Sequence, residues 1–461
     1  MLFLIHWGSH MNKYIGNRKF NLLVISIAIP IMLQNLVTTS VNLVDSLMVG
    51  QLGDAAIGGV AAVNRYFMIM NYGALGVINA VGIFIAQYFG AENEQKMKES
   101  FRFSVSASYL IILPFFFAAL FFPRQILHFF TDDVQLINVG VEYLQVVCLT
   151  YLPLGASLAI SSAMRCIGET KIPLAVSVLS VLTNTFFNYC LIFGNFGFPR
   201  LGVSGAAIAT LIARIVELTV LLYIMKRRHF PFASKVSELH HIPFSLIKII
   251  AFKAAPLCLN ELLWSGGNAM MLKLYGTRGS HVLSGYAITT TMTDIFYTLF
   301  AGMAVATTVM VSQQLGANHL KKAKENGYHM VGFSFFVSLL FAGFMYLISF
   351  TVPFLYGSAS TEVISTAQNM IHVQSICFIL YTLNTQNYFI VRAGGDTKST
   401  LIMDSGFMWL FTIPLLSLIA YLTSIDIYIM YLVGQTSELL KLMLSTRLLH
   451  KEKWVVNLTK V

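Results

Sequence analysis

The chain has 461 residues, of which 56% are hydrophobic and only 11% are charged, and its formal net charge is +10. A soluble globular protein carries about 25% charged residues, so this chain cannot build a complete water-facing surface and its main solvent must be lipid. The positive balance is typical of the cytoplasmic loops of membrane proteins, which argues against nucleic acid as a partner.

Twelve apolar stretches are each long enough to cross a bilayer as a helix. The loops between them are short, which leaves no room for a separate soluble domain. The sequence therefore predicts an all-α polytopic membrane protein with twelve transmembrane helices. Their expected limits are 21–48, 57–88, 103–122, 137–163, 173–195, 203–225, 249–272, 283–314, 330–352, 363–391, 400–422 and 427–446.

The distribution of basic residues predicts the orientation of these spans. Residues 1–20 are expected to form an N-terminal tail, in which residues 1–10 look like a tag-cleavage remnant or an alternative start ahead of Met11. Most lysines and arginines, Lys441 among them, fall on the side that would hold both termini, and this side is expected to be cytoplasmic. The opposite side keeps Arg124, Arg200, Lys273 and Arg278.

An internal repeat divides the chain into two halves. The stretch AQYFGAENEQKMKE from Ala86 returns as SQQLGANHLKKAKE from Ser312, and RCIGETK from Arg165 returns as RAGGDTK from Arg392. Because each half holds six spans, both halves enter the bilayer from the same side and should enclose a cavity. The expected segments are an N-lobe (21–225), a cytoplasmic linker (226–248), a C-lobe (249–446) and a cytoplasmic tail (447–461).

The first span carries an acid, Asp45, and a proline, Pro30. An acid in a membrane helix costs about 2.5–3.5 kcal/mol on insertion scales, so it is expected to face protein or water and to have a function. A proton or a metal cation would relieve the desolvation of its charge, although backbone amides at a helix end could also hold it. Pro30 and its repeat counterpart Pro256 are predicted hinges.

The fifth span carries Asn184 and Asn188, whose spacing of four places both amides on one helix face. Amide oxygens are hard ligands that suit Na⁺ or a buried proton network, and interhelical hydrogen bonding is the alternative use. The expected cavity residues are Glu261, Asp294, Arg65, Gln34 and Asn384.

Several charges inside the spans are expected to have partners. Arg65 could pair with Asp294 across the cleft, or with Asp45 or Glu261, since pairing lowers the cost of a buried charge. Arg214 and Glu217, three residues apart, should neutralise each other within the sixth span. Two further acids, Asp404 and Glu438, are expected to be structural.

In these features the chain resembles the multidrug and toxic-compound extrusion (MATE) family, from residue 20 to residue 450. The motifs that carry the resemblance are VDSLMVGQLG (44–53), the paired GAEN and GANH loops, the RCIGETK and RAGGDTK loops, LGVSGAAIAT (201–210) and MDSGFMWLFTIPL (403–415). The resemblance implies two homologous six-helix lobes that form a V-shaped central cleft. It also implies efflux of organic cations driven by inward H⁺ or Na⁺.

The resemblance also assigns roles to individual residues. Asp45 matches the first-helix acid that binds the coupling cation, and Thr210 matches a hydroxyl near that site. Asn184 and Asn188 match positions where relatives often carry Asn and Asp, so the neutral Asn188 disfavours tight Na⁺ binding and favours a proton. If the ion is Na⁺, Asp45 and both amides would be its ligands. Glu261 matches a seventh-helix acid that one branch of the family uses together with an acid in the tenth span. The tenth span of this chain has no acid, so the second-lobe cation site is expected to be incomplete and Glu261 to attract a cationic substrate instead.

The expected function is that of a secondary active multidrug antiporter, which exports amphipathic, mostly cationic compounds in exchange for H⁺ or Na⁺. The alternative is a lipid-linked precursor or metabolite flippase of the same helical plan, whose cleft should be more basic. No Walker loop, HExxH or GxSxG motif in a convincing context supports an enzyme, and no cofactor besides the coupling ion is expected. The expected setting is a monomer in the inner membrane, in contact with drugs, toxins and lipids.

Overall fold

The computed structural model describes residues 13–239, 241–357 and 359–460, and the regular secondary structure of this part of the chain is entirely helical. Twelve long helices account for most of it. They are α1 (Arg18–Gly50), α2 (Asp54–Gly90), α3 (Glu94–Phe121), α4 (Val134–Cys166), α5 (Lys171–Phe193), α6 (Gly202–Arg228), α7 (Phe244–Gly276), α8 (Ser280–Gly316), α9 (Leu320–Leu355), α10 (Thr361–Ala393), α11 (Thr397–Leu422) and α12 (Ile427–His450).

Ten of these helices are long and apolar enough to cross a bilayer. The other two, α7 and α12, have 33 and 24 residues, which is also sufficient length. They have lower hydropathy because they carry amides and charges such as Asn260, Glu261 and Lys441. Side chains such as Leu110 (76% exposed), Phe354 (88%) and Leu410 (84%) require lipid rather than water around the helices.

Two helices begin well before the limits that hydropathy predicts. α3 starts at Glu94 and α9 at Leu320, whereas the apolar stretches start at residues 103 and 330. The additional turns are polar, and the side chain of Asn93 caps the first of them by accepting a hydrogen bond from the Lys96 amide (3.0 Å). The charged stretches EQKMKE and LKKAKE therefore form helix starts, whereas the GAEN and GANH motifs before them contain the turns that were expected.

Four of the described helices depart from regular α geometry. Two contain a 3₁₀ turn, α4 at Cys148–Thr150 and α9 at Ser349–Thr351. The other two contain π segments, α8 at Thr308–Ser312 and α11 at Ile402–Gly406 and Met408–Thr412. π segments are frequent at functional sites because they redirect side chains that a regular helix would place elsewhere. The first of the two π segments in α11, Ile402–Gly406, carries Asp404.

The chain forms two compact units, which we call the N-unit (Leu33–Ala254) and the C-unit (Met1–Met32 with Ala255–Val461). The division therefore lies within α1, just after Pro30, and within α7, just before Pro256. The six-plus-six division predicted from the repeat instead assigns the whole first helix to the N-lobe. Both prolines lie inside helices that continue through them.

The core of the N-unit is built by α2, α4, the short helix Pro123–His128 and parts of its neighbours. Fully buried side chains such as Met70, Leu144 and Tyr151 lie at its centre. The segment that follows α6 is anchored to α3, because Phe232 packs against Phe101 with 5.1 Å between ring centroids.

Arg102 of α3 holds the same segment by polar contacts. It donates a hydrogen bond to Ser234 Oγ (3.1 Å) and another to the His241 carbonyl (3.3 Å), and it forms an ion pair with Glu238. The predicted linker 226–248 thus belongs to the N-unit and is held against α3 through Phe232, Ser234, Glu238 and His241.

The core of the C-unit includes residues from both ends of the described chain. Phe20 and Val24 of α1 belong to the same buried cluster as Trp454, whose Nε1 donates to the Leu449 carbonyl (3.0 Å). The Trp454 main chain lies so close to Gly394 that a Cβ there would be 1.9 Å from its carbonyl oxygen. Lys13 lies 3.5 Å from the centre of the Tyr328 ring, and burial lowers the pKa of this lysine.

Candidate functional site

A chain of hydrogen bonds joins the four residues of the predicted cation-coupling set. Asn184 Nδ2 donates to Thr210 Oγ1 (3.2 Å), and Asn188 Nδ2 donates to Asn184 Oδ1 (3.1 Å). Asn188 Nδ2 also donates to the Asp45 carboxylate. The structure thus brings α1, α5 and α6 together around one carboxylate, two amides and a hydroxyl.

Close packing of α5 and α6 makes this arrangement possible. A Cβ at Gly205 would lie 2.5 Å from the Leu191 carbonyl oxygen, so only glycine allows the two helices to approach there. The amides of Asn184 (8% exposed) and Asn188 (1%) are consequently buried between helices and face each other. Tyr143 of α4 lies beside both Thr210 and Asp45, and its side chain is buried.

A polar cavity of about 100 Å³ opens beside this group. A buried water needs roughly 10–15 Å³ by this kind of measure, so the cavity can hold several waters or one small hydrated cation. Its polar lining comes from Thr38, Asp45, Ser177, Ser180, Asn184, Thr210, Arg214 and Glu217.

Asp45 is the acid in this cavity that lacks a basic partner among the described residues of the N-unit. The other acid, Glu217, pairs with Arg214 (2.7 Å) and also accepts from Ser180 Oγ (3.3 Å), so the predicted Arg214–Glu217 pair is confirmed. Asp45 is partly buried, and a buried carboxylate without a counter-charge favours the binding of a proton or a cation.

Two residues that are hydrogen-bonded to the cavity lining, Asn188 and Gln34, add hard oxygen atoms beside the N-unit cavity. The Oδ1 atom of Asn188 and the Oε1 atom of Gln34 are buried without a hydrogen-bond partner, while Gln34 Nε2 donates to Ser177 Oγ (2.7 Å). No group of three His, Cys, Asp or Glu side chains that could hold a metal occurs among the residues described. One carboxylate with amides and hydroxyls suits a proton or a monovalent cation better than a divalent metal.

The C-unit contains a second polar cluster. Lys441 Nζ lies 2.9 Å from Asp404 Oδ1 and 3.4 Å from Glu438 Oε1. Asn260 Nδ2 donates to Asp404 Oδ2 (3.0 Å), and Asn384 Nδ2 donates to Glu438 Oε2 (2.7 Å). Sequence reasoning counted Lys441 among the basic residues of the cytoplasmic segments and did not predict its partners. Its side chain lies within α12, is only 12% exposed and is enclosed by this cluster.

A cavity of about 160 Å³ lies beside the second cluster. Among the predicted cavity residues, Glu261 and Asn384 line it. Aromatic side chains make up much of the remaining wall, together with the cluster itself. The further lining residues are Asn260, Trp264, Tyr381, Tyr388, Asp404 and Lys441.

The two cavities use corresponding positions of the internal repeat. At the 226- and 227-residue offsets, Gln34 corresponds to Asn260, Ser177 to Asp404 and Arg214 to Lys441. Each of these residues lines its cavity or donates a hydrogen bond to a residue that does. In the N-unit Gln34 donates to Ser177, and in the C-unit Asn260 donates to Asp404.

Two of the predicted cavity residues line neither of these two cavities. Arg65 and Asp294 are both exposed, and neither forms an ion pair within its own unit among the described residues. The predicted pairing of Arg65 with Asp45 is therefore absent from the described N-unit. Sequence reasoning also missed Tyr143, Ser177 and Ser180. The available signals were the position of Ser177 in the repeat and the helix face that Ser177 and Ser180 share with Asn184.

Comparison with known proteins identifies the family. The MatE family model matches residues 30–190 and 256–418, with one range in each half of the chain. The chain is 25% identical over 394 residues to the probable multidrug resistance protein NorM of Halalkalibacterium halodurans, which covers 85% of this chain and 86% of that protein. It is 21% identical over 402 residues to the probable multidrug resistance protein YoeA of Bacillus subtilis, covering 87% of each.

The fold is also similar to that of solved transporters. The crystal structure of the Vibrio cholerae MATE transporter VcmN has a TM-score of 0.84 at 18% identity, with 95% of this chain and 98% of that chain covered. The twelve-helix plan of this chain is therefore the MATE fold. From the two matched ranges, the repeat and the fold, the chain belongs to the MATE family, whose members are membrane transporters and not enzymes.

Proposed function

We propose that this protein is a secondary active antiporter that exports amphipathic, mostly cationic organic compounds in exchange for an inward cation bound at Asp45. The observation that carries the proposal is the carboxylate of Asp45, which faces a polar cavity and has no basic partner among the described residues of the N-unit. The relatives named multidrug resistance proteins support the substrate class.

The coupling ion we favour is H⁺. Asn188 turns its amide nitrogen toward Asp45, which stabilises a carboxylate and occupies one of its oxygens. Na⁺ would need that amide to turn its oxygen inward, and only one negative charge would balance it. A proton needs neither change, because the protonated acid can donate to Asn184, Thr210 or water in the cavity.

The ion can act on both units through one helix. α1 carries Asp45 in the N-unit, and the same helix continues through Pro30 into the C-unit. Neutralising Asp45 weakens the hydrogen bond that it accepts from Asn188, so the charged and neutral forms favour different positions of α1. Each net charge that moves inward down the potential yields about 2.3 kcal/mol per 100 mV, roughly a fifty-fold gradient of an uncharged compound. A monovalent organic cation exchanged for one H⁺ moves no net charge, so its export draws on the H⁺ concentration gradient, and on the potential only when more than one H⁺ enters.

The charge of the two cavities disfavours the flippase alternative. Asp45 and Glu217 outnumber Arg214 in one cavity, and Glu261 and Asp404 outnumber Lys441 in the other. A lipid-linked diphosphate needs a basic binding surface, whereas an organic cation is attracted to an acidic one.

We further propose that the protein is a monomer in the inner membrane with both termini on the cytoplasmic side.

Export of ethidium, measured as its uptake into inverted vesicles under separate H⁺ and Na⁺ gradients, tests the proposal. We expect the wild-type protein to respond to the H⁺ gradient and the variant Asp45→Asn to lose that response while inserting normally. Asp132→Asn is the matched control, because the Asp132 side chain is 95% exposed and lies outside the cavity. Gradient-driven efflux by the Asp45 variant would refute the proposal.

A further inference from the structure

We propose that the carboxylates of Asp404 and Glu438 form a monovalent-cation site which the chain itself fills permanently with the ammonium group of Lys441. The inference goes beyond the proposed antiport, and it assigns a different kind of cation to each unit. The N-unit would bind an exchangeable ion, whereas the C-unit carries a tethered one. It would stand even if the coupling mechanism at Asp45 were wrong, because its test measures binding and not transport.

The geometry around Lys441 is that of a bound cation. Its Nζ contacts one oxygen of Asp404 (2.9 Å) and one of Glu438 (3.4 Å). The second oxygen of each carboxylate accepts from an amide, Asn260 for Asp404 and Asn384 for Glu438. Both acids thus have every oxygen engaged, and both are held in a fixed orientation toward the ammonium group.

The amides that orient the acids are themselves fixed. Asn260 Oδ1 accepts from the Ser405 amide (3.2 Å), and Ser405 Oγ donates to the Asn260 carbonyl (2.8 Å). Asn384 Oδ1 accepts from Ser445 Oγ (2.8 Å), and the Asn384 side chain also donates to the Glu438 carbonyl (2.8 Å). The hydrogen bonds that orient the two acids therefore come from four helices, α7, α10, α11 and α12, and none of these bonds involves Lys441.

Comparison with the corresponding repeat position in the N-unit distinguishes this cluster from an ion pair within a single helix. Arg214, at the position that corresponds to Lys441, pairs with Glu217 on its own helix and leaves Asp45 unpaired. Lys441 instead connects α12 to Asp404 in the π segment of α11. Asp404 stands at the repeat position of Ser177, so the C-unit has an acid where the N-unit has a hydroxyl. The fixed charge of Lys441 neutralises the Asp404 carboxylate.

A cluster of this kind must accept a free cation when the lysine is removed. Lys441→Ala leaves a space with the shape of the lost propylammonium group. Lys441→Met keeps the chain but ends one atom short of Nζ, which leaves room for an ion the size of ammonium or K⁺. A purely structural ion pair would leave two repelling acids that reorganise and take up no cation in particular.

The test is cation rescue of thermal stability in the purified protein. We expect Lys441→Ala to melt several degrees below the wild-type protein, and n-propylammonium to restore most of the loss, because a ligand that binds only the folded state raises its stability. The uncharged analogue n-propanol should not do so. Lys96→Ala is the matched control, since Lys96 pairs with Glu99 (3.1 Å) but is 39% exposed; propylammonium should not change its melting temperature.

The second variant covers the case in which Lys441→Ala does not fold. Lys441→Met should gain stability with NH₄⁺ or K⁺, and adding Asp404→Asn should remove that gain. The proposal is overturned if folded Lys441→Ala or Lys441→Met responds to these cations no more than the wild-type protein does. It is also overturned if n-propanol rescues Lys441→Ala as well as n-propylammonium does.

Discussion

Asn188 donates a hydrogen bond from Nδ2 to the carboxylate of Asp45, and the same nitrogen also donates to Asn184 Oδ1 (3.1 Å). One amide group thus links the acid of α1 to the polar face of α5. Its own oxygen is buried without a hydrogen-bond partner. The amide is therefore the part of the N-unit cavity that would have to reorient if a metal cation replaced the proton.

Replacing Asn188 should change the ion that the cavity prefers. Asn188→Asp adds a second carboxylate beside Asp45, and two acids with the Asn184 oxygen suit Na⁺ better than one. We expect the apparent affinity for Na⁺ to rise roughly tenfold, about 1.4 kcal/mol, as measured by the Na⁺ dependence of ethidium efflux. Asn188→Ala is the control and should not gain Na⁺ dependence. An unchanged Na⁺ response in the aspartate variant would contradict this ligand assignment.

The prolines at the division between the units should control transport rate rather than ion binding. Pro30→Ala and Pro256→Ala restore a backbone donor and stiffen α1 and α7 near the residues where the two units divide. We expect the efflux rate of each variant to fall several-fold while ion binding persists.

Pro114→Ala provides the comparison for the two hinge variants. Pro114 also lies inside a helix, α3, but far along the chain from either division point. Its replacement should leave the efflux rate close to that of the wild-type protein. Equal losses in all three variants would show that helix stiffness in general, and not the position of Pro30 and Pro256, limits transport.

The close approach of α5 and α6 should tolerate no side chain at Gly205. A methyl group there would lie 2.5 Å from the Leu191 carbonyl oxygen, so Gly205→Ala must separate the helices and lengthen the Asn184–Thr210 hydrogen bond. We expect a loss of roughly 1–3 kcal/mol in stability, read as a lower melting temperature, together with weaker ion-driven efflux.

Gly343→Ala is the matched control for Gly205→Ala. Gly343 also lies in a helix, but a Cβ built there meets no atom within 4 Å. Alanine in such a position should leave stability unchanged or raise it by about 0.5–1 kcal/mol, because it removes freedom from the unfolded chain. A similar loss of stability in both variants would indicate that helical glycines matter here for a reason other than space.

The C-terminal tail should contribute strongly to the stability of the C-unit. Trp454 is fully buried, packs against Gly327 and donates from Nε1 to the Leu449 carbonyl. Trp454→Ala leaves a large cavity, and we expect a loss of roughly 3–5 kcal/mol in chemical or thermal unfolding. Trp264→Ala is the comparison, because Trp264 is 41% exposed and should cost much less. A tail variant as stable as the wild-type protein would contradict this packing.

Hydropathy and the repeat predicted the helical plan, because an apolar stretch of sufficient length has few other structures available in lipid. The spacing of Asn184 and Asn188 placed them on one face, and the MATE resemblance linked them with Asp45 and Thr210. The starts of α3 and α9 were missed, because a polar helix turn has no hydropathy signal. Hydropathy reports which residues prefer lipid, and it does not report how far a helix continues beyond the lipid.

The cluster at Lys441 shows the same limit at the level of single side chains. A lysine near a helix end fits the cytoplasmic charge rule, and nothing near it in sequence reveals Asp404, which lies 37 residues away. Its other acid, Glu438, was within one turn but was expected to be structural. Tertiary pairing over such distances follows from how α11 and α12 pack, which the sequence pattern alone does not specify.

The composition of the C-unit core affects the order in which the protein can mature. Phe20 and Val24 leave the ribosome long before Trp454, which belongs to the same buried cluster. The N-unit has no such requirement, since its residues are contiguous from Leu33 to Ala254. During synthesis the N-unit can therefore fold early, while the beginning of α1 must wait in the membrane until Trp454 has been made.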